Sequence, residues 1–136
     1  MVKVKEIMTS NIRPVNPTDS IAEVARQMTD QKLPLLPVCE KGKLKGIITD
    51  TDIIASLAQN SNDLKNVYAD SLMIKDNLKV PEGVDVVDAA KIMASHGVRH
   101  LPVIHNGGRF AGLLTMEDLV KESLALASMV LSKHNN

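Results

Sequence analysis

One internal repeat governs what this chain can fold into. Glu6-Ile7-Met8-Thr9 answers to Ser71-Leu72-Met73-Ile74, Met28 to Met93, and Leu36-Pro37-Val38 to Leu101-Pro102-Val103, all at an offset of 65. Past Asn106-Gly107-Gly108 the offset becomes 66, so that Gly46-Ile47-Ile48-Thr49-Asp50-Thr51-Asp52 answers to Gly112-Leu113-Leu114-Thr115-Met116-Glu117-Asp118. One extra turn residue accounts for the change. A unit of this size is near the lower limit for a self-sufficient core. Two such units are therefore expected to pack on each other about a pseudo-two-fold axis, leaving clefts along the seam where a ligand can sit. The expected boundaries are 1–60 for the first repeat, 61–66 for a polar linker, 67–124 for the second repeat and 125–136 for a C-terminal helical extension and polar tail.

Each repeat reads as β-α-β-β-α, which makes the chain an α+β protein. Ser20 and Glu23 have capping-box spacing, and Ile21, Val24, Ala25 and Met28 then fall on one helical face. Asp85 with Val86, Ala89, Ala90 and Met93 copies this, and Gly97 is a natural helix stop. Two short strands follow, Leu35–Cys39 and Leu44–Thr49 joined through Lys41-Gly42, with counterparts Val98–Ile104 and Phe110–Thr115 joined through Asn106-Gly107-Gly108. A last helix is expected after Thr49 and after Thr115.

Composition narrows the function. Sixteen basic residues balance sixteen acidic ones, and each half is within one charge of neutrality. No electrostatic footprint for nucleic acid is present. Tyr68 and Phe110 are the only aromatic residues, too few for a single-strand stacking platform. A flat heterocycle would have to lie between aliphatic side chains. The lone Cys39 permits no internal disulfide and fits a reducing compartment. The charged start, Met1 to Glu6, lacks a leader's apolar core, and the apolar run Leu124–Leu131 is too short to span a bilayer. A cytoplasmic location without membrane association is expected.

The sharpest motif is Gly-apolar-apolar-Thr-x-x-Asp, present twice. On its residues alone it has two readings. Thr at an N-cap with an acid three residues on is a capping box. The same geometry offers free backbone N–H groups, a Thr hydroxyl and a carboxylate to a phosphate and a ribose. The order and double occurrence of Met8-Thr9 and Met73, Leu36-Pro37-Val38 and Leu101-Pro102-Val103, and this motif resemble a tandem pair of CBS (cystathionine-β-synthase) domains, a Bateman module. The resemblance extends from about Val2 to Leu124. It implies a regulatory module, not an enzyme, that binds an adenosine-containing ligand: AMP, ADP or ATP foremost, with S-adenosylmethionine or NAD as further options. It further implies ribose and phosphate contacts from Thr49 and Asp52 at one site and from Thr115 and Asp118 at the other. Arg99 and His100, just before Leu101-Pro102-Val103, would meet ligand phosphates, where Arg gives planar bidentate recognition. The first repeat has Pro34 and Leu35 instead, so the two sites should be unequal.

Other chemistry is not signalled. No phosphate-binding loop, His-Glu-x-x-His or nucleophile elbow occurs, and no catalytic residue is assigned. His96, His100, His105 and His134 do not fall at metal-ligand spacing, and no metal is expected. Cys39 reads as a small core residue. Ser123–Leu131 is apolar around most of a helix, which calls for more than one packing partner. With the Met8 and Met73 regions it is a candidate contributor to a homodimer. No effector domain is attached, so regulation is expected in trans on another protein. The competing reading is a structural or protein-interaction module whose motifs are helix caps only.

Overall fold

A computed structural model of the chain describes residues 1–59 and 64–134, with side chains described as far as residue 132. The linker expected at 61–66 and the tail's last residues lie partly outside these. The order of elements is α1 (Val4–Ile7), α2 (Ile21–Gln31), β1 (Leu35–Glu40), β2 (Lys43–Thr49), α3 (Asp50–Gln59), α4 (Ala69–Leu72), β3 (Val80–Pro81), α5 (Val86–His96), β4 (His100–Ile104), a 3-10 turn at Asn106–Gly108, β5 (Phe110–Thr115), α6 (Met116–Glu122) and α7 (Leu124–His134).

The local chemistry explains these bounds. Ser20 Oγ accepts from the Glu23 N–H at 3.2 Å and starts α2. The reciprocal half of the expected capping box is missing, because the Glu23 carboxylate instead meets Arg26 and Gln27. Asp85 caps α5 by accepting from the Val87 N–H at 2.8 Å, and Gly97 ends it at φ 65°, in the left-handed region where glycine carries no Cβ penalty. The β1–β2 hairpin turns through Lys41 and Gly42, both at positive φ. The β4–β5 hairpin turns through the 3-10 segment, with Gly107 at φ 84° and Gly108 at φ 86°. That longer turn is the physical basis of the step in the repeat offset. Val98 and Arg99, expected in the strand, precede it.

The chain divides into two compact units, Ile12–Asn77 and Met1–Asn11 with Leu78–Asn136. In the first, β1 and β2 pair antiparallel from Leu35↔Thr49 to Glu40↔Lys43. The strand expected ahead of Ser20 is reduced to one parallel bridge, Val15↔Val38. Val15 donates to Pro37 O and accepts from the Cys39 N–H. Pro37 therefore serves as an acceptor on this edge, where its missing N–H breaks no ladder bond. Ile21, Val24, Leu36 and Ile48 are fully buried. In the second unit β3, β4 and β5 form a three-stranded sheet, β3 parallel to β4 and β4 antiparallel to β5. Its core joins Val86, Ala90 and Met93 of α5 to Leu101, Leu114 and Leu119. Helix α7 packs on α5 and α6 and buries Ala127 and Val130 in that core. These contacts lie within the same unit, while Leu124 at the start of α7 stays exposed.

The compact units are not cut where the sequence repeats are. The opening segment of the first repeat, with Val4 buried, belongs to the core of the second-repeat unit. The opening segment of the second repeat, with Ala69 buried, belongs to the first-repeat unit. Each hairpin is thus completed by the other repeat's opening residues. Thr9 bridges Leu113, and Ile74 bridges Ile47.

Candidate functional site

These opening segments explain the glycines of the repeated motif. A Cβ on Gly46 would stand 2.8 Å from Ile74 O and 2.9 Å from Met73 Sδ. A Cβ on Gly112 would stand 2.6 Å from Thr9 O and 3.1 Å from Met8 Sδ. Backbone pairs with backbone directly across each glycine: Thr9 and Leu113 exchange hydrogen bonds of 2.8 and 2.9 Å, as do Ile74 and Ile47 at 2.8 and 3.0 Å. Met8 and Met73 cover these crossings.

Beyond each glycine the strand runs into a helix N-terminus. Thr115 is the N-cap of α6, with its hydroxyl accepting from the Asp118 N–H at 3.2 Å and its own N–H donating to Asp118 Oδ2 at 2.9 Å. Thr49 and Asp52 repeat this in the other unit, at 3.1 and 3.2 Å. Both motifs are reciprocal capping boxes. The bond pins each carboxylate against the start of its helix, where the helix dipole favours an anion, and leaves its remaining lone pairs to other donors.

The two carboxylates then differ. Asp118 is 8% exposed, and the Thr9 hydroxyl donates to both its oxygens, at 3.0 Å to Oδ1 and 3.1 Å to Oδ2. Asp52 is half-buried, and the Thr49 N–H donates to its Oδ2 at 3.2 Å. The residue at the Thr9 position of its unit is Ile74, which is 50% exposed and has no hydroxyl. Asp52 lines a cavity of about 420 Å³ with Ser56, Gln59, Asn66, Val67 and Ser71. A volume of this order holds a small ligand.

Arg99 and His100 come together with Thr115. The Met116 N–H donates to Arg99 O at 3.2 Å, and His100 is the cross-strand partner of Thr115. Arg99 is exposed and His100 half-buried. The matching positions beside Thr49 are Pro34, whose carbonyl accepts from Asp50 N–H at 2.8 Å, and Leu35, paired with Thr49. Basic side chains therefore stand beside one motif and apolar ones beside the other. Thr9 and Ile74 escaped sequence reasoning. Their signal was the fixed offset of Met8-Thr9 and Met73-Ile74, which marks a structural position without naming its contact.

Elsewhere, His96 Nδ1 lies 2.9 Å from Ile92 O, and His105 Nδ1 lies 2.8 Å from a Glu82 carboxylate oxygen. Among the described residues no group of three or more His, Cys, Asp or Glu is placed to hold a metal ion. Cys39 is buried, and desolvation pushes its thiol up from 9.0 to about 11. No described helix is long and apolar enough to cross a membrane.

Comparison with known proteins places this geometry. A 17.7 kDa protein of Acidianus ambivalens is 33% identical over 96% of this chain and 79% of its own length. Among solved structures, CBSX2 in complex with AMP superposes with a TM-score of 0.79 at 24% identity, over 93% of this chain and 98% of that one. MJ1225 of Methanocaldococcus jannaschii, described as an archaeal homologue of γ-AMPK, superposes with a TM-score of 0.80 at 28% identity, over 88% of this chain and 47% of that one. The CBS domain model matches twice, at residues 4–59 and 69–125. The chain belongs to the CBS domain family, as a tandem CBS pair, a regulatory ligand-binding module.

Proposed function

We propose that this CBS pair senses an adenosine-containing ligand, AMP, ADP or ATP, and regulates another protein in trans. The observation that carries the reading is Asp52: a carboxylate pinned by the Thr49 N–H that lines a cavity. A fixed carboxylate is the acceptor that the vicinal hydroxyls of a ribose require. Thr49 adds a hydroxyl beside it. In the second unit Thr115 and Asp118 repeat the capping box, and Arg99 and His100 beside it add groups able to meet phosphate. The complex of CBSX2 with AMP and the γ-AMPK likeness of MJ1225 support an adenine nucleotide. Binding regulates by favouring whichever conformation holds the ligand more tightly. The exposed apolar residues Ile54, Leu57, Val120 and Leu124 support a homodimer, which light scattering at increasing concentration tests directly.

The test of function is calorimetry on protein stripped of bound ligand, titrated with AMP, ADP, ATP, S-adenosylmethionine and NAD. Micromolar binding, about −8 kcal/mol, is expected for one of the first three. Stripping is checked at 260 nm, where a chain with no Trp and one Tyr absorbs little. A folded protein that binds none of the five would leave the capping boxes as structure alone and favour the protein-interaction reading.

A further inference from the structure

We infer that the two motifs are not two equal binding sites: Thr9 closes the Asp118 carboxylate, and the Asp52 carboxylate alone is open to a ligand diol. The inference rests on the proposed nucleotide reading and assigns it to one motif. A vicinal diol binds a carboxylate by placing one hydroxyl on each oxygen. The Thr9 hydroxyl already bridges the two oxygens of Asp118, at 3.0 and 3.1 Å. It occupies the position from which a diol would do the same. The Thr115 N–H also donates to Oδ2, at 2.9 Å, and Asp118 is 8% exposed.

Thr9 is held there by more than its side chain. Its N–H and carbonyl are both tied to Leu113, and the absence of a Cβ on Gly112 brings the two backbones to this distance. A ligand would have to displace a hydroxyl fixed by the fold, and gain only what that hydroxyl already supplies. The other unit has the same backbone crossing, Ile74 on Ile47 over Gly46, and differs in the one atom that matters. The Ile74 side chain has no donor to match the Thr9 hydroxyl, and the Asp52 carboxylate lines the cavity. The repeat therefore carries one open and one closed copy of the same acceptor. The threonine at position 9 decides which.

The experiment is AMP binding by calorimetry to stripped full-length protein and to four variants: Asp52→Asn, Asp118→Asn, Thr9→Ala and Thr9→Ser. Asn keeps a cap acceptor at each motif, and Ala keeps the backbone bonds of Thr9. The expected result is one AMP per chain, lost in Asp52→Asn and retained in Asp118→Asn. Thr9→Ala should raise the stoichiometry to two, and Thr9→Ser, which keeps the hydroxyl, should not. Two AMP per wild-type chain, each lost with its own aspartate, would overturn the inference and leave the nucleotide reading intact. So would one AMP lost in Asp118→Asn, or a folded Thr9→Ala protein still limited to one. Absence of AMP binding with tight binding of another nucleotide in the panel moves the same comparison to that nucleotide, with the same outcomes deciding. Binding of none of the panel would overturn the nucleotide reading, and the inference with it.

Discussion

Substituting Gly112 by Ala tests whether the opening segment is seated as tightly as described. The new Cβ would lie 2.6 Å from Thr9 O, well inside the roughly 3.5–4.0 Å of an unstrained contact. The obstacle is a backbone carbonyl, so no rotamer change relieves it. The strand must move away from Thr9, stretching the two Thr9–Leu113 hydrogen bonds, while Met8 Sδ at 3.1 Å blocks retreat to one side. Overpacking of about 1–3 kcal/mol and partial loss of two bonds at about 1 kcal/mol each give roughly 3–5 kcal/mol of destabilisation. In a chain of this size that lowers Tm by roughly 10–20 °C. Two other glycines calibrate the scale. Gly83 has nothing within 4 Å of its would-be Cβ and no positive φ, so Gly83→Ala should fall within about 0.5 kcal/mol of the parent. Gly97 has open space but φ +65°, so Gly97→Ala should cost about 1–2 kcal/mol through backbone conformation alone. Differential scanning calorimetry of the three variants gives the order. Gly112→Ala melting with Gly83→Ala would refute the close approach, and with it the seating of Thr9 on Asp118.

The remaining predictions concern single side chains. Asp118→Ala removes a buried acceptor for the Thr9 hydroxyl and the Thr115 N–H, and should cost about 2–4 kcal/mol in urea melts; Asp52→Ala removes a cap interaction only, at about 1 kcal/mol. Cys39 should resist alkylation in folded protein at pH 8, because a thiol titrating at about 11 is almost wholly protonated there. Its folded value is raised, so its contribution to stability is complete below pH 9 and is lost as pH climbs towards 11; rapid labelling at pH 8 in native buffer would refute both statements. Val130→Ala, which empties a fully buried position on α7, should cost about 2 kcal/mol, and an unchanged melt would show that α7 is not part of the core.

Much of the fold was legible because its signals are local. Ser20, Asp85 and Gly97 sit where caps are needed, and Gly42, Gly107 and Gly108 sit where the backbone takes positive φ. The strand–helix step at Thr49 and Thr115 follows from a motif seven residues long. What stayed hidden is either too short or too distant for such signals. Helices α1 and α4 are four residues each, less than the span over which periodicity can be recognised. The strand ahead of α2 is a single bridge at Val15, shorter than the alternation that marks a strand in sequence. The bond between Thr9 and Asp118 joins residues 109 apart, and no spacing rule reaches that far. The crossing of each opening segment onto the other repeat's hairpin is likewise a property of the assembled fold.

The comparison of the two copies within one chain separates what the fold requires from what a ligand could use. Gly46 and Gly112 match because both admit a crossing backbone, and Met73 and Met8 match because both cover it. Thr49 with Asp52 and Thr115 with Asp118 match because both cap a helix. All of these agree in the two units, and each has a structural reason to. The differences cluster beside the carboxylates: Ile74 against Thr9, and Pro34 and Leu35 against Arg99 and His100. None of these differences alters the backbone, since the Ile74–Ile47 and Thr9–Leu113 crossings have the same pattern, and Pro34 O accepts from Asp50 as Arg99 O accepts from Met116. Side chains that vary on an unvarying frame set donors, acceptors and charge without setting shape. The identity of the capping boxes therefore reports on the scaffold, and functional difference between the copies must be sought in these neighbours, where one hydroxyl is enough to turn an open acceptor into a closed one.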